Sequence, residues 1–276
     1  MERNKIAVLI LNYNSWSETI EVSKKLVSDF NIPWKDIIIV DNCSSDDSRI
    51  KLKENIELGY TYLESEKNGG YGYGNNIGLR YAKDNGYDYV WITNNDIIVN
   101  DLDYLNKIFK VFNSNSDIAV VNSDIKSIDG YLYNRESKKP SFYDYTFGLL
   151  QYRKTGRQII DLGGYGYIYR PQGCSMVVDI QKMSEVDYFD ENTFLYYEES
   201  ILAERLLSKG YKCCCLTETS IIHNHSKIVK DNIKKRNFIK INNTSFAYYL
   251  KNYRNFNTIQ IAICKLFNSI KLWILD

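Results

Sequence analysis

The chain has 276 residues, enough to bury a sizeable core as one large α/β domain or as one domain with an appendage. Lys and Arg number 35 against 34 Asp and Glu, a formal charge of +1, so no global basic field argues for a nucleic-acid partner. An apolar share of 44% argues against wholesale disorder. In chain order, residues 6–11 form a short apolar run that reads as a first strand, being too short for the apolar region of a signal peptide. Asn12-Tyr13-Asn14-Ser15 then leads into a helix over 16–30, with Ser15 or Ser17 as cap. A second strand over 36–40 ends at Asp41, and Ser44-Ser45-Asp46-Asp47 caps the next helix. A third strand at 60–63 precedes a glycine-rich stretch and a helix to about residue 85. A strand at 89–93, a helix at 102–113 and a strand at 118–122 follow. This alternation with short connections predicts a mostly parallel sheet covered by helices on both faces.

Beyond Ser123 the rhythm breaks, and residues 123–170 read as irregular loops or an insertion near a site. A strand resumes at 173–178, with a short helix at 180–186. A helix over 200–209 is stopped by Gly210, and a strand at 211–216 follows. The last segment, 227–276, turns basic and then helical with clustered aromatics. No uninterrupted apolar run reaches membrane-spanning length. None of the six cysteines forms a Cys-x-x-Cys pair, and Cys213-Cys214-Cys215 lies inside a strand, so a reducing cytosol fits and a disulfide scaffold does not.

The chemistry-bearing residues cluster at predicted strand ends. The run Tyr89 to Thr93 delivers Asn94-Asn95-Asp96, a carboxylate flanked by amides that suits a hard divalent cation. An Asn-rich turn is the plain alternative. Asp41, after four branched apolar residues, can accept from a nucleobase N–H or a ribose hydroxyl. Glu198 and Glu199 open a helix behind Phe194-Leu195-Tyr196-Tyr197, where burial and like charge raise one pKa, as a general base requires. The alternative is that they only complement the helix N-terminus. The two histidines, His223 and His225, close the apolar run at 220–222, a place that suits a metal or phosphate ligand, with a lone surface histidine as the plain alternative. The glycines at 69, 70, 72, 74 and 78 follow the third strand and do not form G-x-G-x-x-G, and no P-loop occurs, so dinucleotide and P-loop chemistry are excluded.

In order and spacing, these segments resemble the family 2 inverting glycosyltransferases. The matching residues are Val8 to Asn14, Ile39 to Asp46, Asn68-Gly69-Gly70-Tyr71-Gly72-Tyr73-Gly74-Asn75-Asn76, Thr93 to Asp96, Phe189-Asp190-Glu191, Phe194 to Glu199, and Ile222-His223. The glycine-rich stretch looks most like the rhamnosyltransferase-like branch that builds capsule, O-antigen and other cell-surface polysaccharides. The resemblance covers roughly residues 5–226 and implies a GT-A fold, α/β with a Rossmann-like sheet, followed by a C-terminal helical extension from 227 to 276. Within 1–226 it implies a nucleotide-binding half over 1–100 and an acceptor half over 101–226.

It further implies transfer from a nucleotide-diphosphate sugar, dTDP-rhamnose or a UDP-sugar, to a glycan or lipid-linked saccharide. Asp41 would bind the base, Asn12 and Asn14 would line the nucleotide site, and Asn68, Gly74, Asn75 and Asn95 would stand on the donor side. Asp96 and His223 would hold Mg²⁺ or Mn²⁺ on the diphosphate, and Glu199 or Glu198 would be the base. Asn94 replaces the first acid of the family's Asp-x-Asp, leaving one charged ligand there. Ser200 follows the two glutamates where relatives often carry another residue before a second acid. A non-catalytic sugar-nucleotide-binding protein on the same fold is the competing reading. A sugar-nucleotide pyrophosphorylase lacks its glycine-rich signature after the first strand. In the tail, Lys227, Lys230, Lys234, Lys235, Arg236 and Lys240 beside aromatic residues fit either an anionic membrane surface or a second subunit, and a solvated helix face is the plain alternative. The expected location is the cytoplasm, at the inner face of the plasma membrane if the tail binds lipid.

Overall fold

A computed structural model describes residues 5–132, 134–156, 158–224 and 235–275. The strands are β1 (Ile6–Asn12), β2 (Ile37–Asp41), β3 (Thr61–Glu64), β4 (Tyr89–Thr93), β5 (Ile97–Val99), β6 (Ile118–Lys126), β7 (Tyr165–Ile168), β8 (Ser175–Asp179) and β9 (Lys212–His223). They form one sheet in the order β3-β2-β1-β4-β8-β6-β9-β5, with β7 also on β9. β1 to β4 are mutually parallel, and β6 pairs β9 in parallel. β8 runs antiparallel between β4 and β6, so β6 and β9 point the same way as β1 to β4. The sheet is therefore mostly parallel, as the alternation implied.

Strand periodicity of two sends Val8, Ile10, Ile37 and Ile39 into one core, and Ala7, Leu9, Ile38 and Val40 into the other. Helices α1 (Trp16–Phe30), α2 (Ser48–Glu54), α3 (Gly70–Asp84), α4 (Tyr104–Ser114), α5 (Phe142–Tyr145), α6 (Leu149–Thr155), α7 (Ile180–Glu185) and α8 (Glu198–Ser208) lie around the sheet or in its connections. Two further helices, α9 (Lys235–Tyr253) and α10 (Thr258–Leu275), close the chain. Ser15 stands at the α1 N-cap without capping it, because its hydroxyl donates to Asn12 and to the Tyr13 carbonyl instead.

Glycines let α3 approach the sheet. A Cβ on Gly78 would stand 2.2 Å from Leu9 Cδ1, and one on Gly74 would stand 2.5 Å from Leu11 Cδ1. Where irregular loops were expected between 123 and 170, β6 runs on to Lys126, and α5, α6 and β7 are formed. α5 is started by a capping box between Ser141 and Asp144. β9 is twice the expected length, because the β6 register jumps from Ser123↔Leu216 to Asp124↔Ser220. Polar residues 217–219 bulge out there, which hides the strand from a period-2 reading.

The basic start of the tail, including Lys227, Lys230 and Lys234, and His225 lie outside the described residues. α9 packs on α8 through an aromatic cluster of Ile201, Phe246, Tyr249 and Leu250, with Cys264 of α10. Asp190 ties the same helix down by accepting from Tyr248 Oη at 3.0 Å and from Tyr253 Oη.

Candidate active site

The carboxyl ends of β1, β2 and β4 carry the polar residues expected of a ligand crevice. Asn12 is buried, donates to Asp41 Oδ1 at 2.9 Å and accepts from Thr19 Oγ1 at 2.8 Å. Asn95 donates to Ser15 Oγ at 2.8 Å and Thr19 Oγ1 at 2.9 Å, which joins the β4 end to the same network. Asp41 is 0% exposed and also accepts from the Ser44 N–H and hydroxyl, with Arg49 Nε at 3.6 Å. These three residues hold the crevice's wall together. Asn14, at φ 54°, is half-buried at the rim and accepts from Ser45 N at 2.8 Å.

Asn68 Oδ1 accepts from Asn42 Nδ2 and Gly70 N, which fixes the turn into α3. Gly74 packs on Leu11, and buried Asn75 donates back to the Tyr71 carbonyl. Of these three, Gly74 brings α3 close to the sheet, Asn68 fixes the entry turn, and Asn75 bonds within the helix.

Asp96 and His223 meet because β5 pairs antiparallel with the end of β9, in the register Ile97↔His223. Asp96 Oδ1 lies 3.1 Å from His223 Nε2, both side chains being nearly enclosed. Burial opposes charge on the imidazole, but hydrogen bonds to Asp96 and Cys174 outweigh it and push its pKa up to about 10. A divalent ion bound between them would displace the proton that His223 Nε2 shares with Asp96, and would take its remaining ligands from a diphosphate and water. Among the described residues no group of three or more His, Cys, Asp or Glu is arranged to hold a metal ion, so the pair would supply only two protein ligands.

The two glutamates occupy opposite environments. Tyr196 and Tyr197 precede α8 with φ of 71° and 68°, a strained backbone of the kind that gathers at functional sites. Glu198 is then driven inward to 6% exposure. Burial and the neighbouring Glu199 charge hold its carboxyl well above the usual carboxylate range. Glu199 is half-buried and accepts from Gly173 N at 3.0 Å.

The turn before β8 joins the two halves of the site. Gly173 O accepts from Tyr71 Oη at 2.8 Å, while Cys174 O accepts from Asn94 N at 2.9 Å. The Cys174 thiol stands close enough to His223 to help raise the imidazole pKa. One dipeptide thus touches the glutamate on one side and the Asp-His strand ends on the other. A Cβ on Gly173 would stand 2.8 Å from Tyr71 Oη and 3.0 Å from Glu199 Oε1, which explains glycine there.

Residues 7–176, more than half of the chain, match Glycosyl transferase family 2. The chain belongs to that family. A curated relative, the low-salt glycan biosynthesis hexosyltransferase Agl10 of Haloferax volcanii, is 24% identical over 201 residues, covering 70% of this chain and 59% of Agl10. The chain therefore spans about three fifths of that relative's length. The mannosyltransferase PcManGT from Pyrobaculum calidifontis, solved with GDP-Man and Mn²⁺, aligns with a TM-score of 0.60 at 13% identity, over 98% of this chain and 70% of that one. TarS 1-349 of S. aureus, solved with UDP-GlcNAc, gives 0.58 at 16%, over 95% and 71%. The structural likenesses establish the GT-A fold for this family 2 chain.

Gly173, Cys174 and Tyr71 were given no role from sequence. Tyr71 lay inside the glycine-rich stretch, and a glycine opening a buried strand was the available signal of close approach.

Proposed function

We propose that this family 2 chain is an inverting glycosyltransferase that moves a sugar from a nucleotide-diphosphate donor to a hydroxyl of a glycan or lipid-linked saccharide. The observation that carries the reading is the Gly173-Cys174 turn, which sets Glu199 and the Asp96–His223 pair around one crevice. Glu199, half-buried at the start of α8, takes the proton from the acceptor hydroxyl as its oxygen attacks the anomeric carbon. The bond to the diphosphate breaks on the opposite face, so the product anomer is inverted. Gly173 N–H and Tyr71 orient the carboxylate and the turn behind it. Asp96 and His223 would hold a divalent ion, and when bound it neutralises charge growing on the leaving diphosphate. Mixed oxygen and nitrogen donors favour Mn²⁺ over Mg²⁺, which prefers oxygen alone.

The glycine-rich stretch and the hexosyltransferase relative support a dTDP-rhamnose or UDP-hexose donor in cell-surface polysaccharide synthesis. The base-contacting role read for Asp41 becomes an indirect one in this proposal. With no exposed surface, Asp41 shapes the wall on which the nucleotide rests, and half-buried Asn14 at the rim, beside exposed Tyr13 and Ser45, offers the polar contact.

The test is a thermal-shift screen of UDP-, dTDP- and GDP-sugars with and without Mn²⁺, followed by anomer assignment of the product by NMR. Stabilisation by one donor that needs Mn²⁺ and vanishes in Asp96→Ala is the expected result. Metal-independent donor binding, or retention of anomeric configuration, would defeat the reading.

A further inference from the structure

α10 buries one face and leaves the opposite face uncovered. Cys264 and Asn268 turn inward, four residues apart and fully or almost fully buried. Ile259, Leu266, Ile270 and Trp273 recur at helical spacing on the far side, exposed by 73%, 60%, 48% and 71%. Phe147, itself 71% exposed, extends this apolar surface by packing edge-on against Phe267 at 5.1 Å. At 3.6 residues per turn, Lys265 falls off one edge of the stripe, whereas Lys271 falls on the side of Cys264 and lines a pocket with Asn268. Charge is segregated with it. Residues 235–275 hold seven Lys and Arg and no Asp or Glu, in a chain whose formal total is +1.

We propose that this face of α10, with Phe147, docks on an anionic lipid bilayer surface. An interfacial helix has this arrangement: apolar side chains enter the acyl boundary, a lysine at the edge of the stripe such as Lys265 reaches phosphate headgroups, and Trp sits at the interface. No helix among the described residues is long and apolar enough to cross a membrane, so the contact is a surface one. A second copy fits this face poorly, because joining two such segments would oppose like charges across the contact. The proposal stands apart from catalysis, since none of these residues borders the Glu199 turn.

The test uses the full chain and vesicles of phosphatidylcholine with or without phosphatidylglycerol. Sedimentation with the anionic vesicles alone, weakening as salt is raised, is expected, with a blue-shifted tryptophan emission that Trp273→Phe removes. Leu266→Glu with Ile270→Glu changes only exposed positions, so thermal unfolding should stay unchanged while vesicle affinity drops roughly tenfold or more. Equal binding to neutral vesicles, or full binding by the double variant, would overturn the proposal. So would a double variant that binds vesicles normally but changes from dimer to monomer by light scattering.

Discussion

At the residue scale, the Glu198–Glu199 pair shows how one backbone turn separates two identical side chains. Glu199→Gln keeps shape and removes the carboxylate proposed as the base, so on that proposal kcat should fall by roughly 10²–10⁴ with donor affinity retained. Glu198 is different. Its folded pKa lies above the unfolded value, so its ionisation costs stability as pH rises through and beyond the ordinary carboxylate range. Glu198→Gln should therefore raise Tm at pH 7 to 8, with the gain disappearing near pH 4, where both forms are neutral. A Tm difference independent of pH would show that Glu198 is ionised in the folded protein. Gly173→Ala sets its new carbon against two side-chain ends, Tyr71 Oη and Glu199 Oε1, which can give way. Its Tm should change little while kcat drops roughly tenfold or more, because a small displacement of the base is costly. Unimpaired turnover in this variant would remove the turn from the catalytic arrangement.

At the scale of elements, α3 is fitted to its surroundings by glycine. Gly70 has φ +88°, and a Cβ there would lie 1.9 Å from the Phe194 carbonyl oxygen, which itself accepts from Tyr71 N at 3.0 Å. Backbone cannot move aside as a side chain can. Gly70→Ala should cost about 2–4 kcal/mol, adding overpacking to left-handed strain. Gly86 makes a useful control, since its φ is +70° but its Cβ direction is open. Its alanine variant should cost only about 1 kcal/mol, from strain alone. Urea denaturation of both variants distinguishes the two effects, and equal losses would place the Gly70 penalty in φ alone.

Across the whole molecule, the C-terminal helices support the site from behind. Phe246 of α9 stacks on Tyr197 with ring centroids 4.7 Å apart, and Tyr197 is one of the strained residues that turn Glu198 inward. Tyr249 stacks on the same ring at 5.7 Å and bonds Tyr169 and Arg254. Removing this support should reach the catalytic helix. Phe246→Ala is expected to lose about 3–5 kcal/mol of stability by cavity formation, and to lower kcat in the surviving folded fraction. Lost stability with a fully retained kcat would make the extension a passive cover.

Local pattern in the sequence determined the strand and helix order of the first 122 residues except the three-residue β5, since period-2 burial and short turns are properties of neighbouring residues, whereas β5 forms only by pairing with β9. It also put Asn12, Asp41 and Asp96 at strand ends, because a parallel sheet gathers those ends on one edge. Their partners were decided only by packing. Asp96 faces His223 through the β5–β9 register, and Asp41 is enclosed by Asn12 and Ser44. Which glutamate is buried depends on two left-handed tyrosines and an aromatic stack from α9, none of which leaves a local signature. The Gly173-Cys174 turn joins α8, α3, β4 and β9 through single contacts. Contacts between elements so distant in the chain are set by how helices and sheet pack, and periodicity within one segment carries no record of them.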